Sequence, residues 1–235
     1  MDSNLPKRKM SAFLPCRKGS ERVPLKNIKP FNGIEGGLVK IKLKQLLSCK
    51  LIDHVYLSTN DEAILELANK FNSPKLIVHK RDDFLCQSST STDELVSHAL
   101  NLIKEGDIIW THVTSPFINS ALYENIILKF WEQSELGYDS LMTTTLLHGF
   151  LWDEKGPTNY DRTAEKWPRT QTIQALHEIN SGAFISSSEL YNTLGDRIGE
   201  KPYLYPLNKL QSFDIDWPED FVIAEAILNK ELVSL

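Results

Sequence analysis

The sequence lacks the features that mark several classes of protein. It has three cysteines in 235 residues, Cys16, Cys49 and Cys86, an odd and widely spaced set without a C-x-x-C pair. That pattern excludes a disulfide framework and a cysteine-built zinc site, and it fits a reducing compartment. No apolar run approaches the roughly 20 residues of a membrane-spanning helix. Met1 to Lys9 is polar and basic, with no apolar core of a secretory leader, so a cytoplasmic protein is expected. Positive charge is not in excess: 26 Lys and Arg against 31 Asp and Glu leave a net −5. Nothing global therefore draws the chain to nucleic acid or to a membrane surface. Internal repeats and low-complexity tracts are also missing. What is present is a globular composition, 41% hydrophobic and 24% charged, which excludes disorder as the general state. The length suits a single well-buried domain over 1–235.

Apolar periodicity alternates between strand and helix through the first 145 residues or so. Met10–Leu14, Val55–Ser58, Leu76–Val78, Asp107–Thr111 and Ser140–Thr145 read as strands. Between them, Val39–Leu47, Asp61–Phe71, Leu95–Ile103 and Leu122–Phe130 carry helical stripes. Ser91 and Glu94 form a capping box ahead of the third stripe. The alternation predicts an α/β fold with a mostly parallel sheet covered by helices on both faces, and ligands outside the carboxyl ends of its strands. The rhythm breaks at Phe150. The stretch 150–172 has three Pro or Gly, two Trp and no clean period, and reads as a functional segment or an interface arm. Ala183–Ser186 and Pro202–Pro206 resume strand character, and Phe221 to Leu228 closes with a helical stripe.

Four loops could carry chemistry. Pro15 to Asn27 follows the first strand and holds Arg17, Lys18, Arg22 and Lys26 with Gly19 and Ser20. Backbone N–H groups around a glycine, backed by fixed cations, suit a polyphosphate. The loop is not a Walker A sequence. Its other reading is a solvated basic loop. Ser212-Phe213-Asp214-Ile215-Asp216 places two carboxylates at i and i+2, on one side if extended. Such a pair suits Mg²⁺; alternatively Asp216 caps the helix after Pro218. Thr114-Ser115-Pro116 and Asn180-Ser181-Gly182, the latter expected just before a late strand, are ligand-lining loops or ordinary turns. Arg81 lies in a polar loop, solvated or touching a base or phosphate. His112 ends a strand and reads as a packed histidine. The basic loop around Cys16 is expected to lower its thiol pKa, but no base accompanies it.

Together these residues resemble the CMP-sialic acid synthetase (acylneuraminate cytidylyltransferase) family, from Met10 to about Leu228. C-R-K-G-S-E-R-V-P-L-K-N (16–27) and S-F-D-I-D (212–216) carry most of the resemblance; L-S-T-N-D (57–61), T-S-P (114–116) and N-S-G-A-F (180–184) support it. The resemblance implies a nucleotide-diphosphosugar transferase-like, Rossmann-like fold. It implies transfer of CMP from CTP to an acidic 2-keto-3-deoxy sugar, with Mg²⁺ and pyrophosphate release. Arg17, Ser20, Lys26 and Asn27 would contact the nucleotide phosphates and Arg81 would help place the nucleotide. Asp214 and Asp216 would hold the metal, with Arg17 and Lys26 offsetting charge in the reaction. His112, Thr114, Ser115, Asn180 and Ser181 would face the sugar. The charge run Lys155, Arg162, Lys166 and Arg169 either meets its carboxylate or is a solvated arm. The family's homodimers imply that 150–172 is a dimerisation arm reaching the sugar site. Two departures stand out. The family's glutamine and arginine flanking T-S-P appear as His112 and Ile118. Its Asn-Gly appears as Asn180-Ser181-Gly182. A different acceptor, Kdo-like or phosphonate, and a non-catalytic nucleotide-binding module are the alternatives.

Overall fold

The computed structural model describes residues 8–235. Its first half follows the expected alternation: β1 (Met10–Cys16), α1 (Gly37–Ser48), β2 (His54–Thr59), α2 (Glu62–Ala68), β3 (Leu76–Lys80), α3 (Thr92–Leu102), β4 (Asp107–Trp110) and α4 (Ser120–Glu135). The second half contains β5 (Ser140–Leu147), β6 (Trp152–Asp153), β7 (Gly156–Pro157), β8 (Leu176–Ser187), α5 (Ser188–Leu194), β9 (Pro202–Leu207) and α6 (Pro218–Asn229). Seven strands form one sheet in the order β3-β2-β1-β4-β8-β5-β9. All pairings are parallel except those of β8, which runs antiparallel to both β4 and β5.

Side-chain alternation along the strands builds a core on each face. Ala12, Leu14, Ile109, Ala183 and Ile185 pack with α1, α2, α4 and α6. Phe13, Ile108, Trp110 and Phe184 point the other way, toward α3 and Tyr191 of α5. Strand β1 lies between β2 and β4, so the chain first builds outward on one side and then crosses to the other. The β1/β4 boundary is thus the topological switch point, where open α/β sheets leave a crevice at the strands' carboxyl ends.

Several local expectations change. Helix α2 stops at Ala68, short of Phe71: beyond it the bonds tighten to three-residue spacing, Lys70 N to Leu67 O and Phe71 N to Ala68 O. Helix α5 had no clear signal. The capping box at Ser91 and Glu94 forms as expected. Asn180–Gly182 does not precede a strand: it lies inside β8, in a bulge between the pairs Thr144–Ile179 and Met142–Phe184. Thr143 organises that bulge. Its Oγ1 donates to Asn180 Oδ1 at 2.6 Å and accepts from Ala183 N at 2.8 Å. A Cβ on Gly182 would lie 2.6 Å from Ile118 Cδ1 and 2.7 Å from Thr143 Oγ1, so the bulge packs tightly only with glycine there. Cys16 is the last residue of β1 and is buried, and burial pushes its thiol up to about 12, opposite to the expected direction.

Candidate active site

The separated motifs meet at the carboxyl ends of β1, β2 and β4. Gly19 turns the first loop with φ +77°, a conformation that suits glycine. Lys18 N donates to Asn60 Oδ1 at 2.8 Å, joining the loop to the end of β2. Asn27 Nδ2 donates to Arg17 O at 3.2 Å and braces the loop from within. Ser20 Oγ accepts from Val23 N at 3.4 Å. Two clefts, of about 520 and 300 Å³, flank this loop, and Arg17, Ser20, Lys26 and Asn27 line both. The smaller one also borders His112 and Thr114 across the switch point. A larger hollow of about 600 Å³ lies at the other end of β4, beside Gly106 and Ser188, away from every motif.

Lys26 makes the long-range connection. Its Nζ donates to Ile215 O at 3.0 Å and to Asp216 Oδ1 at 3.1 Å. Arg22 Nη2 reaches the same Asp216 oxygen at 3.1 Å, and its guanidinium stacks on Trp217, 5.0 Å from the ring centroid. Ile215 N donates to Thr114 O at 2.9 Å, so the 212–216 segment is fastened to both the first loop and the T-S-P turn. Ile215 is fully buried between the two aspartates. Asp216 does not cap α6: Asp220 accepts from the N–H groups of Asp216 and Trp217 at 2.8 and 2.7 Å. The side chain of Asp216 is thereby left for the loop cations. Asp214 Oδ1 accepts from Ile215 N at 3.1 Å.

On the far side of the switch point, His112 ties β4 to the β8 bulge. Trp110 Nε1 donates to His112 Nε2 at 3.1 Å, which makes Nδ1 the protonated nitrogen, donating to Ser181 O at 3.1 Å. Burial lowers its pKa, so the ring is neutral near pH 7. Both ring nitrogens are engaged, as are the Asn180 carbonyl and amide, the latter donating to Thr145 Oγ1 at 3.2 Å. These two side chains hold the bulge in place. The Thr114 and Ser181 hydroxyls make no hydrogen bond among the described residues. Ser115 is buried, with its carbonyl facing inward.

Sequence reading missed Lys42. It lies on α1, fully buried, and its Nζ donates to Ser115 O at 2.8 Å, Ile118 O at 3.3 Å and Tyr123 Oη at 2.8 Å. Tyr123 Oη lies 2.7 Å from Thr111 Oγ1, which donates to Gly182 O at 2.7 Å. Thr111 has one hydroxyl proton, committed to Gly182. Tyr123 must therefore donate to Thr111, and Lys42 must donate to Tyr123. All three ammonium protons have acceptors, which favours the charged form. Burial opposes it and lowers Lys42 to about 7, with Asp214 pulling back upward. This chain links the T-S-P turn to the β8 bulge through the core.

Arg81 is not solvated. It is buried at the end of β3, its Nε donates to Cys86 Sγ at 2.9 Å, and its Nη1 is buried without a partner. Arg169 is exposed on the 150–172 stretch, where its carbonyl closes a turn with Thr172. That stretch carries the β6/β7 hairpin and an exposed aromatic group: Phe150 packs edge-on against Tyr160 and Trp167, and Arg162 sits 5.2 and 5.3 Å from the Trp152 and Trp167 rings.

Among the described residues no cluster of three or more His, Cys, Asp or Glu could hold a metal, and no helix is long and apolar enough to cross a membrane. The donor set at the site is two carboxylates. That fits Mg²⁺, which takes one or two carboxylates and completes its shell with phosphate oxygens and water.

Residues 12–234 match the family model described as cytidylyltransferase. The chain is 28% identical over 237 residues to N-acylneuraminate cytidylyltransferase A of Danio rerio, covering 95% of this chain and 53% of that protein. It is 31% identical over 123 residues to pseudaminic acid cytidylyltransferase of Campylobacter jejuni, covering 50% of this chain and 51% of that one. The chain thus spans about half the length of the first of these relatives, and half of it aligns with half of the second. A solved CMP-2-keto-3-deoxy-manno-octonic acid synthetase in complex with CTP has the same fold, with a TM-score of 0.66 at 13% identity over 95% of this chain and 99% of that one. On the match that runs nearly end to end, the chain belongs to the cytidylyltransferase family.

Proposed function

We propose that the chain transfers CMP from CTP to the anomeric hydroxyl of an acidic 2-keto-3-deoxy sugar, sialic acid or a related nonulosonic acid, releasing pyrophosphate. The observation that carries this reading is the contact of Lys26 with Ile215 O and Asp216, which joins motifs 190 residues apart at the switch point. The names of the two curated relatives supply the acceptor class.

The acceptor oxygen forms a bond to the α-phosphorus. The bond from that phosphorus to the bridging oxygen breaks, and its electron pair leaves with pyrophosphate. The hydroxyl proton passes to Asp214. This chemistry needs alignment and charge neutralisation more than covalent help. Arg17 and Lys26 balance charge growing on the pyrophosphate, Ser20 and Asn27 shape the loop around it, and Arg22 adds a third cation. Arg81 is assigned to the nucleotide by the family resemblance; its side chain is buried behind the clefts, with Nη1 unpartnered. Asp214 and Asp216 would hold the metal, Mg²⁺ in this reading, and it would supply charge neutralisation at the phosphates.

The whole described chain works as one domain with 150–172 as its arm. The exposed Trp152 and Trp167 on that arm suit a contact with a second copy of the chain, giving a homodimer. Three free, buried cysteines suit a reducing compartment, and we place the protein in the cytoplasm on that ground. A second reading keeps CTP and changes the acceptor to an eight-carbon acid or a phosphonate. It is favoured by His112, whose nitrogens are both engaged, and by the fully buried Ile118, at the two positions where the sequence departs from the family pattern.

Lys26→Ala and Asp216→Ala are each expected to abolish CTP-dependent pyrophosphate release, a loss of about 100-fold or more. Circular dichroism and the melting temperature should stay close to wild type. Near-normal rates in either variant refute the assignment.

A further inference from the structure

Helix α1 touches both halves of the site. Near its start, Val39 N donates to Asn27 O of the first loop at 2.9 Å. Further along, Lys42 and Gln45 are three residues apart and present their side chains on one face. Gln45 is buried, and its Nε2 donates to Pro116 O at 2.7 Å. Lys42 holds the carbonyls on either side, Ser115 O and Ile118 O. One helix thus fixes the first loop through its backbone and the T-S-P turn through two buried side chains. A hydrogen-bonded helix keeps such a spacing, because each residue adds about 1.5 Å along a stiff rod.

The remaining proton of Lys42 carries the connection beyond the turn. It goes to Tyr123, Tyr123 donates to Thr111, and Thr111 donates to Gly182 O inside the β8 bulge. The side chain of Ile118 meets the bulge at the same residue, where its Cδ1 lies 2.6 Å from the place of a Cβ on Gly182. The family pattern carries an arginine at 118, a donor that leaves from the turn itself. Here 118 is apolar and fully buried, and a donor reaches its carbonyl from α1. Burying a lysine is unfavourable where an apolar residue would pack without penalty. What offsets that cost at Lys42 is the set of bonds that fix the turn and the bulge.

We propose that Lys42 is a positioning residue for the acceptor half of the site: it supplies from α1 the donor that is missing at 118, and it locks the T-S-P turn and the β8 bulge into one unit at a fixed distance from the first loop. This role rests on the transferase reading above. Lys42 is fully buried and acts through the turn and the bulge. Removing it leaves the bond from Val39 N to Asn27 O in place, so the acceptor side loosens and the nucleotide side is spared.

The test compares the full chain with Lys42→Met, which keeps the apolar stem, and with Tyr123→Phe, which cuts the connection to Thr111 and leaves Lys42 its two carbonyls. Hydrogen exchange at Gly182 and Ala183, whose amides donate to Asn180 Oδ1 and Thr143 Oγ1, is read by mass spectrometry and needs no acceptor. It should speed up about 10-fold or more in both variants, the effect of one lost buried hydrogen bond, while Val39 keeps its protection. Against a panel of nonulosonic and octulosonic acids, the acceptor KM should rise about 10-fold or more in Lys42→Met, and the CTP Kd by calorimetry should stay within about twofold. Trp131→Phe removes a buried hydrogen bond to Asp107 at the other end of β4. It should lower stability without changing bulge exchange or the acceptor KM. Circular dichroism shows which variants are folded, and Tyr123→Phe decides the exchange test alone where Lys42→Met is not. Bulge exchange within about twofold of wild type overturns the proposal, as does an acceptor KM that Trp131→Phe raises equally; in both cases the transferase reading stands. No pyrophosphate release by wild type with any acceptor overturns that reading and this role with it.

Discussion

Replacing Lys42 by Met tests how a buried cation is tolerated beneath the T-S-P turn. Two effects oppose each other in that variant. A fall of the lysine from 10.5 to about 7 corresponds to about 5 kcal/mol against the charged form. Removing the ammonium leaves Ser115 O, Ile118 O and Tyr123 Oη without their donor, at about 1–3 kcal/mol each. The net change at pH 7 is therefore smaller than either contribution alone. The pH dependence is more decisive. Between about 7 and 10.5 the unfolded chain keeps the Lys42 proton and the folded one releases it. The unfolded state then binds more protons, so the contribution of Lys42 to stability rises with pH by about 1.4 kcal/mol per unit. Below about 7 both states are charged and that gain is absent. Urea unfolding of wild type and Lys42→Met at pH 7, 8, 9 and 10 should show the stability difference moving toward wild type by about 4 kcal/mol across the series. Groups common to both proteins cancel in the difference. A difference that stays within about 1 kcal/mol refutes burial as the dominant influence and shows that the three acceptors hold the proton on Lys42.

Thr143→Val removes the hydroxyl that bonds Asn180 Oδ1 and Ala183 N, and should cost about 2–3 kcal/mol in chemical denaturation; it should also raise the acceptor KM while leaving the CTP KM unchanged, and a loss confined to CTP would place the bulge on the wrong side of the site. His98 is buried against Ser58, 2.8 Å from its Oγ, and burial lowers it from 6.5 to about 4. Its contribution is full above pH 6.5 and is lost as pH falls toward 4, about 3 kcal/mol in all. A His98→Asn variant should unfold with less acid dependence in that window, and equal acid sensitivity in both proteins would contradict the shift. If the proposed homodimer forms through the arm, wild type should sediment as a dimer and Trp152→Ala combined with Trp167→Ala as a monomer, without a lower melting temperature of the domain; an unchanged sedimentation coefficient argues against the arm as the contact.

The strands and long helices were legible because each buries a face at its own period. Ala12 and Leu14 against Phe13, and Ile109 against Ile108 and Trp110, show the alternation that the sheet requires. The first loop and the two aspartates were legible because their residue types are unusual together. What escaped has physical causes. Lys42 stands on the buried face of α1, where a lysine normally reads as solvated; only the two carbonyls and the Tyr123 hydroxyl brought by distant elements explain it. Arg81 looked solvated because its loop is polar, yet Cys86 and the ends of β1 and β2 enclose it. The β8 bulge breaks the period of two at Asn180–Gly182, which hid the first half of a 12-residue strand. Helix α5 is seven residues long, too short for a stripe to emerge from Tyr191 alone. His112 and Asn180 have polar side chains that suggested ligand contacts, but polar groups in a bulge are also needed to satisfy its unpaired backbone.

The most direct measurement is pyrophosphate release by the full chain with Mg²⁺ and a panel of nonulosonic and octulosonic acids, comparing CTP with UTP and ATP. Release with CTP alone and with one acidic sugar, together with a CMP-sugar product, is the predicted result. A folded protein that binds CTP yet releases no pyrophosphate with any acceptor would contradict the assignment of Lys26, Asp214 and Asp216 to nucleotidyl transfer.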